Sequence, residues 1–172
     1  MFNDEARFGR INRPVRCWAP KGMRPTVGSQ TIREYTYSYI AVSPLDGIAD
    51  TLVLPDMAVD CNQLFVDEIG RRHPDELVIL VGDGAGSHTT PKLTLPENVR
   101  LITLPPYSPQ LNPVEQVNDI TRERYFANEC FDSLDAVKDR LVNALRDLES
   151  DPTTIRSLTK YPWIINAILS VT

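Results

Sequence analysis

Prolines at 105, 106 and 109 bar both helix and strand across the middle of this 172-residue chain. Proline lacks an amide hydrogen, fixes its own φ and drives the residue before it out of the helical region. The tract Pro105-Pro106-Tyr107-Ser108-Pro109-Gln110-Leu111-Asn112-Pro113-Val114-Glu115 therefore reads as a rigid, irregular connection. Asn112-Pro113 then supplies a cap and a first helical position. Glu115 falls on the first turn, where exposed amides favour a carboxylate. Val99 to Leu104 reads as a strand, so this acid is held just beyond a strand end.

The flanking segments supply the rest of an α/β layer fold with a mixed sheet. Met1-Phe2-Asn3 leaves little strand ahead of Asp4, which predicts a very short or truncated first element. Residues 11–34 carry Pro14, Pro20, Gly22, Pro25 and Gly28 and read mostly as loop. Tyr35, Tyr37 and Tyr39 alternate with Thr36, Ser38 and Ile40 as in a strand, and Ile48 to Leu54 returns as its neighbour after a turn at 43–47. Cys61, Leu64, Phe65 and Ile69 mark a helix that stops before Pro74. Leu77 to Val81 is a continuous apolar run, expected to be buried on both faces, with Asp83 at its carboxyl edge. A helix over 113–128 follows the proline tract. Another, with Asp132 or Ser133 as cap, presents Leu134, Val137, Leu141, Leu145 and Leu148 on one face. A last helical stretch opens at Asp151-Pro152 and is interrupted at Tyr161-Pro162.

Three acids stand in tracts built to present a carboxylate: Asp4, Asp83 and Glu115. In open α/β sheets, sites lie outside the carboxyl ends of strands. Hard oxygen donors without a nearby Cys or His cluster suit Mg²⁺ or Mn²⁺ and not zinc. Two such ions can drive phosphodiester chemistry. Each acid also has a plain structural reading: Asp4 as an exposed terminal acid, Asp83 as a turn residue, Glu115 as a helix-start charge. Gly82-Asp83-Gly84-Ala85-Gly86 lacks the lysine of a phosphate loop, and Ser87 breaks the dinucleotide spacing. His88 and Glu5 are auxiliary candidates. Trp18 is either a base-stacking or a loop-packing residue, with packing the expected role.

A net charge of −5 argues against a nucleic-acid partner until its distribution is seen. Residues 1–33 hold seven Lys/Arg against two Asp/Glu, and the remainder holds 11 against 21. Arg7, Arg10, Arg13, Arg16, Trp18 and Lys21 are thus candidate DNA contacts on a basic arm, the alternative being a solvated tail. Cys17, Cys61 and Cys130 are odd in number and widely spaced, which fits buried thiols in a reducing cytoplasm. No apolar run approaches the length of a membrane span.

Taken together and in order, Asp4-Glu5-Ala6-Arg7-Phe8-Gly9, then Leu80 to His88, then Leu104 to Glu115 closely resemble the catalytic domain of mariner-like DDE superfamily transposases, bacterial insertion-sequence branch. Trp18 with Lys21-Gly22 is similar to that family's tryptophan-to-glycine loop. The resemblance implies a ribonuclease H-like mixed sheet flanked by helices, with a C-terminal helical extension. It places the catalytic domain at residues 1–130 and helices packing on it at 131–172. It implies that Asp4, Asp83 and Glu115 bind two Mg²⁺ or Mn²⁺ ions for DNA strand cleavage and strand transfer. The implied substrates are terminal inverted repeats and a TA target, in the bacterial cytoplasm and nucleoid. Departures are visible: Gly84 stands where Asn is usual, and Asn118 near a usual tryptophan. No helix-turn-helix domain fits ahead of Asp4, so the chain resembles the downstream half of a frameshifted pair, working with an upstream DNA-binding segment or as a homo-oligomer. The competing expectations are a non-catalytic remnant or inhibitor that keeps the fold, and a host nuclease.

Overall fold

A computed structural model of the protein describes residues 1–12, 14–84 and 91–170. His88 and Arg13 lie outside the described residues. Five strands form one sheet in the order β3-β2-β1-β4-β5: β1 (Phe2–Ile11), β2 (Thr31–Val42), β3 (Ala49–Leu54), β4 (Val78–Gly82) and β5 (Val99–Thr103). The first three run antiparallel as a meander, and β4 and β5 join parallel to β1. The expected short first strand is instead ten residues long. Its antiparallel partner β2 pairs with it from Phe2↔Val42 to Ile11↔Thr31, so its length is set by the neighbour.

Two layers of helix cover the sheet. Helix α1 (Val59–Arg72) lies on one face and buries Cys61, Phe65, Val66 and Ile69 against Tyr39, Val78, Leu80 and Val99. Opposite lie α2 (Val114–Tyr125), α3 (Leu134–Glu149), α4 (Pro152–Thr159) and α5 (Pro162–Leu169). Their apolar stripes meet Phe2, Ala6, Phe8, Ile40 and Val42. Each fully buried Leu, Ile, Val or Phe side chain contributes roughly 1.5–3 kcal/mol, so these stripes hold the layers together. Ser133 caps α3 by accepting from the Ala136 amide at 3.1 Å, and Asp151 caps α4 by accepting from Thr154 at 3.0 Å.

The apolar run of β4 is fully buried on one face alone, with Val81 partly buried on the other. Val78 and Leu80 pack under α1, whereas Leu77 and Ile79 are exposed, as is Ile102 on β5. The helices opposite α1 sit over β1 to β3 and leave this corner open. A run of apolar residues cannot by itself report how far a covering layer extends.

Charge closes the far edge of the sheet. Asp50 at the start of β3 is 6% exposed and accepts from Arg72 at 3.0 Å, while its other oxygen meets His73 Nε2 at 2.7 Å. Glu149 at the end of α3 accepts from the backbone and hydroxyl of Thr51 at 2.9 and 2.7 Å, and lies 3.5 Å from Arg72. The ends of α1 and α3 are thus tied together across β3, which shields an edge strand from foreign pairing.

The basic segment between β1 and β2 is a loop anchored at its base. Asn12 and Gln30 exchange two hydrogen bonds, and the Gln30 amide pairs with both backbone groups of Phe131 at 2.8 and 3.0 Å. Trp18 is fully exposed, so it does not take the expected packing role. Of the cysteines, Cys61 is buried as expected, but Cys17 and Cys130 are exposed. Among the described residues, no helix is long and apolar enough to cross a membrane.

Candidate metal centre

The parallel register of β1 with β4 pairs Phe2 with Val81. Two residues further on in each chain direction come Asp4 and Asp83, which the strand period of two directs to one face. Pairing the two strands therefore brings side by side two acids that are 79 positions apart in sequence.

Glu115 arrives from the proline tract. Helix α2 starts at Val114, one residue later than the cap-and-proline pattern predicts. Asn112 ends the short 3-10 turn Pro109–Leu111 and performs two tasks. Its side-chain oxygen accepts from the Val114 amide at 3.2 Å, and its Nδ2 donates to the Asn3 carbonyl at 2.8 Å. The start of α2 is thereby pinned to the residue before Asp4. One helical turn past Glu115, Asn118 donates from Nδ2 to Asp4 Oδ2 at 2.9 Å. Asn118 is 1% exposed, and its own Oδ1 has no partner among the described residues.

Asp4, Asp83 and Glu115 line two adjoining depressions of about 440 and 460 Å³. The first is walled by Pro105, Pro106, Tyr107 and Pro109; the second is bordered by Glu5, Arg7 and Arg122. Burial, followed by the charges of Glu115, Glu5 and Asp83, pushes the Asp4 carboxyl up to about 7. Crowded like charges of this kind favour either a proton or a cation. Among the described residues, however, no three His, Cys, Asp or Glu side chains stand close enough together to hold an ion as they are. Tyr107, on the wall, is fully exposed and has φ of 57°, a left-handed conformation that is costly for a bulky residue.

The other sequence candidates separate clearly. Glu5 borders the second depression. Arg10 is only 13% exposed, donates to the Phe131 carbonyl at 2.9 Å and pairs with Glu34 at 2.9 Å. It braces the loop base. Arg16, Trp18 and Lys21 are exposed on the loop. Asn112, Asn118 and Arg122 were not singled out as site residues from the sequence. The available signal was helical spacing, which places Asn118 three residues and Arg122 seven residues after Glu115 on one face.

A family described as "DDE superfamily endonuclease" matches residues 1–138. The chain belongs to that family. A relative from Sinorhizobium fredii (strain NBRC 101917 / NGR234), "Uncharacterized protein y4pE/y4sA", is 37% identical over 130 residues, which is 75% of this chain and 96% of the relative. The catalytic domain of Mos1 mariner transposase superposes with a TM-score of 0.60 at 17% identity, covering 92% of this chain and 76% of that one. The Mos1 mariner paired end complex with Mn gives 0.59 at 18% identity over 93% of this chain. The chain spans 55% of the Mos1 transposase in that complex and in the paired-end complex with left transposon end. The shared architecture is the mixed, helix-flanked sheet of ribonuclease H-like proteins, and it gives the DDE superfamily fold to this chain.

Proposed function

We propose that Asp4, Asp83 and Glu115 are the metal-binding carboxylates of a DNA transposase centre that cuts a DNA strand and joins its end to a target. The observation that carries this reading is that three acids from β1, the end of β4 and the start of α2 border the same pair of depressions. The donor set fits hard divalent ions, because it offers carboxylate oxygen alone, and burial together with mutual repulsion already raises the Asp4 pKa. Two Mg²⁺ or Mn²⁺ ions, when bound, would supply Lewis-acid stabilisation of the charge that develops on the reacting phosphodiester.

The protein's own part is to position these groups. The β1–β4 pairing sets Asp4 beside Asp83. Asn112 fixes the height of α2 and hence of Glu115, and Asn118 holds one oxygen of Asp4. The proline wall limits movement on one side of the notch. We take residues 1–130 as the catalytic unit and 131–172 as helices that complete its core. The proposed substrates are transposon terminal inverted repeats and a TA target, in the cytoplasm and nucleoid, with an upstream DNA-binding segment or a second copy as partner.

The test is nicking of supercoiled plasmid DNA in Mn²⁺ by the intact chain and by Asp83→Ala. Loss of nicking in the variant is expected; equal nicking by both proteins would overturn the assignment. A second reading, a remnant that keeps the fold without turnover, draws on the absence of a ready-made three-ligand cluster among the described residues. It requires the intact chain to bind no Mn²⁺ in calorimetry.

A further inference from the structure

The two depressions that share the acids differ in chemistry. The lining on the Tyr107 side contains no Lys or Arg among the described residues, whereas the lining on the β1 side carries Arg7 and Arg122. A guanidinium among carboxylates normally pairs with one of them. Arg7 forms no ion pair among the described residues; its Cζ instead lies 4.5 Å from the centre of the Tyr35 ring. Arg122 lies 5.3 Å from the centre of the Phe8 ring and, among the described residues, forms one ion pair, of 3.3 Å with the exposed Asp119. Contact with a ring orients a guanidinium while leaving most of its N–H fork unused, and that fork matches the oxygens of a phosphate. A polyanion approaching several carboxylates also needs compensating positive charge close by.

We propose that Arg7 and Arg122 form a phosphate-binding subsite, which grips the nucleic-acid backbone on the β1 side of the carboxylate notch. Its ligands are two phosphodiesters neighbouring the one that reacts, one for each guanidinium. The subsite rests on the DNA-strand reading above, yet it concerns binding and can be measured without turnover.

The probe is a fluorescein-labelled single-stranded oligonucleotide of random sequence, titrated in EDTA over a range of NaCl concentrations. The proteins are the intact chain, Arg7→Gln, Arg122→Gln, the double variant and Arg122→Lys. Each lost phosphate contact lowers the slope of log K against log salt by about 0.7 on a single strand. The expected slope change is therefore about 0.7 for each single variant and about 1.4 for the double, with the slope kept in Arg122→Lys. An oligonucleotide whose linkages are all neutral methylphosphonates should erase the difference between intact and variant protein. A double variant with matching melting temperature and an unchanged slope would overturn the proposal. So would an intact chain that shows no salt-dependent binding up to about 100 µM, the weak end of ordinary non-specific affinity. Asp83→Ala separates the two readings, because it should abolish nicking and leave the salt slope in place.

Discussion

Asn118 on α2 donates a 2.9 Å hydrogen bond to Oδ2 of Asp4 on β1, and so links the helix that carries Glu115 to the strand that carries Asp4. The contact sets the relative position of two acids 111 residues apart in sequence. Supporting hydrogen bonds to metal ligands typically change metal affinity by about 10–100-fold. Asn118→Leu is therefore expected to weaken Mn²⁺ binding by about tenfold or more in calorimetry. The same change removes both the donor to Asp4 and a buried carbonyl that has no partner among the described residues, two effects of opposite sign on the melting temperature. Undiminished Mn²⁺ affinity would show that Asn118 is only a packing residue.

The raised pKa of Asp4 makes the metal-free protein sensitive to pH. Its ordinary value is 3.8 and its folded value about 7, so between these the native state holds a proton that the unfolded chain has released. Stability contributed by this group therefore falls as pH rises from about 4 to 7 and levels off above, by at most about 4 kcal/mol. Urea melts in EDTA should show Asp4→Asn more stable than the intact chain at pH 8, with the gap closing towards pH 4. A constant gap across that range would contradict the burial of Asp4 and the crowding of acids around it.

Gly47 turns the chain between β2 and β3 with φ of 75°, and a Cβ there would collide with the Pro152 carbonyl and the Arg156 side chain. Gly47→Ala is expected to cost about 2 kcal/mol or more, a fall in melting temperature of roughly 4–8 °C. Nicking by the surviving folded protein should be unchanged.

Asp50→Ala would leave Arg72 and His73 without their buried acceptor at the edge of β3. A loss of about 2 kcal/mol is expected in denaturant unfolding, with Mn²⁺ affinity preserved. Arg10→Ala should behave alike, lowering stability through the Phe131 and Glu34 contacts without changing the salt slope of DNA binding.

Much of the layer order could be read from the sequence because helical and strand periods are local properties. The α3 stripe and its Ser133 cap, the turn before β3 and the stop of α1 near Pro74 all lie where those patterns put them. What could not be read depended on partners distant in the chain. The length of β1 is dictated by β2, and the exposure of Ile79 by how far the opposite helices reach. Arg10 looks like its basic neighbours until Phe131 and Glu34 are folded against it. The three acids drew attention through their tracts and Asn112 through its cap position, but the bonds from Asn112 to Asn3 and from Asn118 to Asp4 have no local signature. Their roles exist only once α2 packs across β1.

The most direct measurement is an anomalous difference map from crystals of the intact chain soaked in Mn²⁺. Two peaks about 3.5–4 Å apart, liganded by Asp4, Asp83 and Glu115, are the expected result. A map with no manganese at these carboxylates, or with manganese held only by other side chains, would contradict the proposed centre.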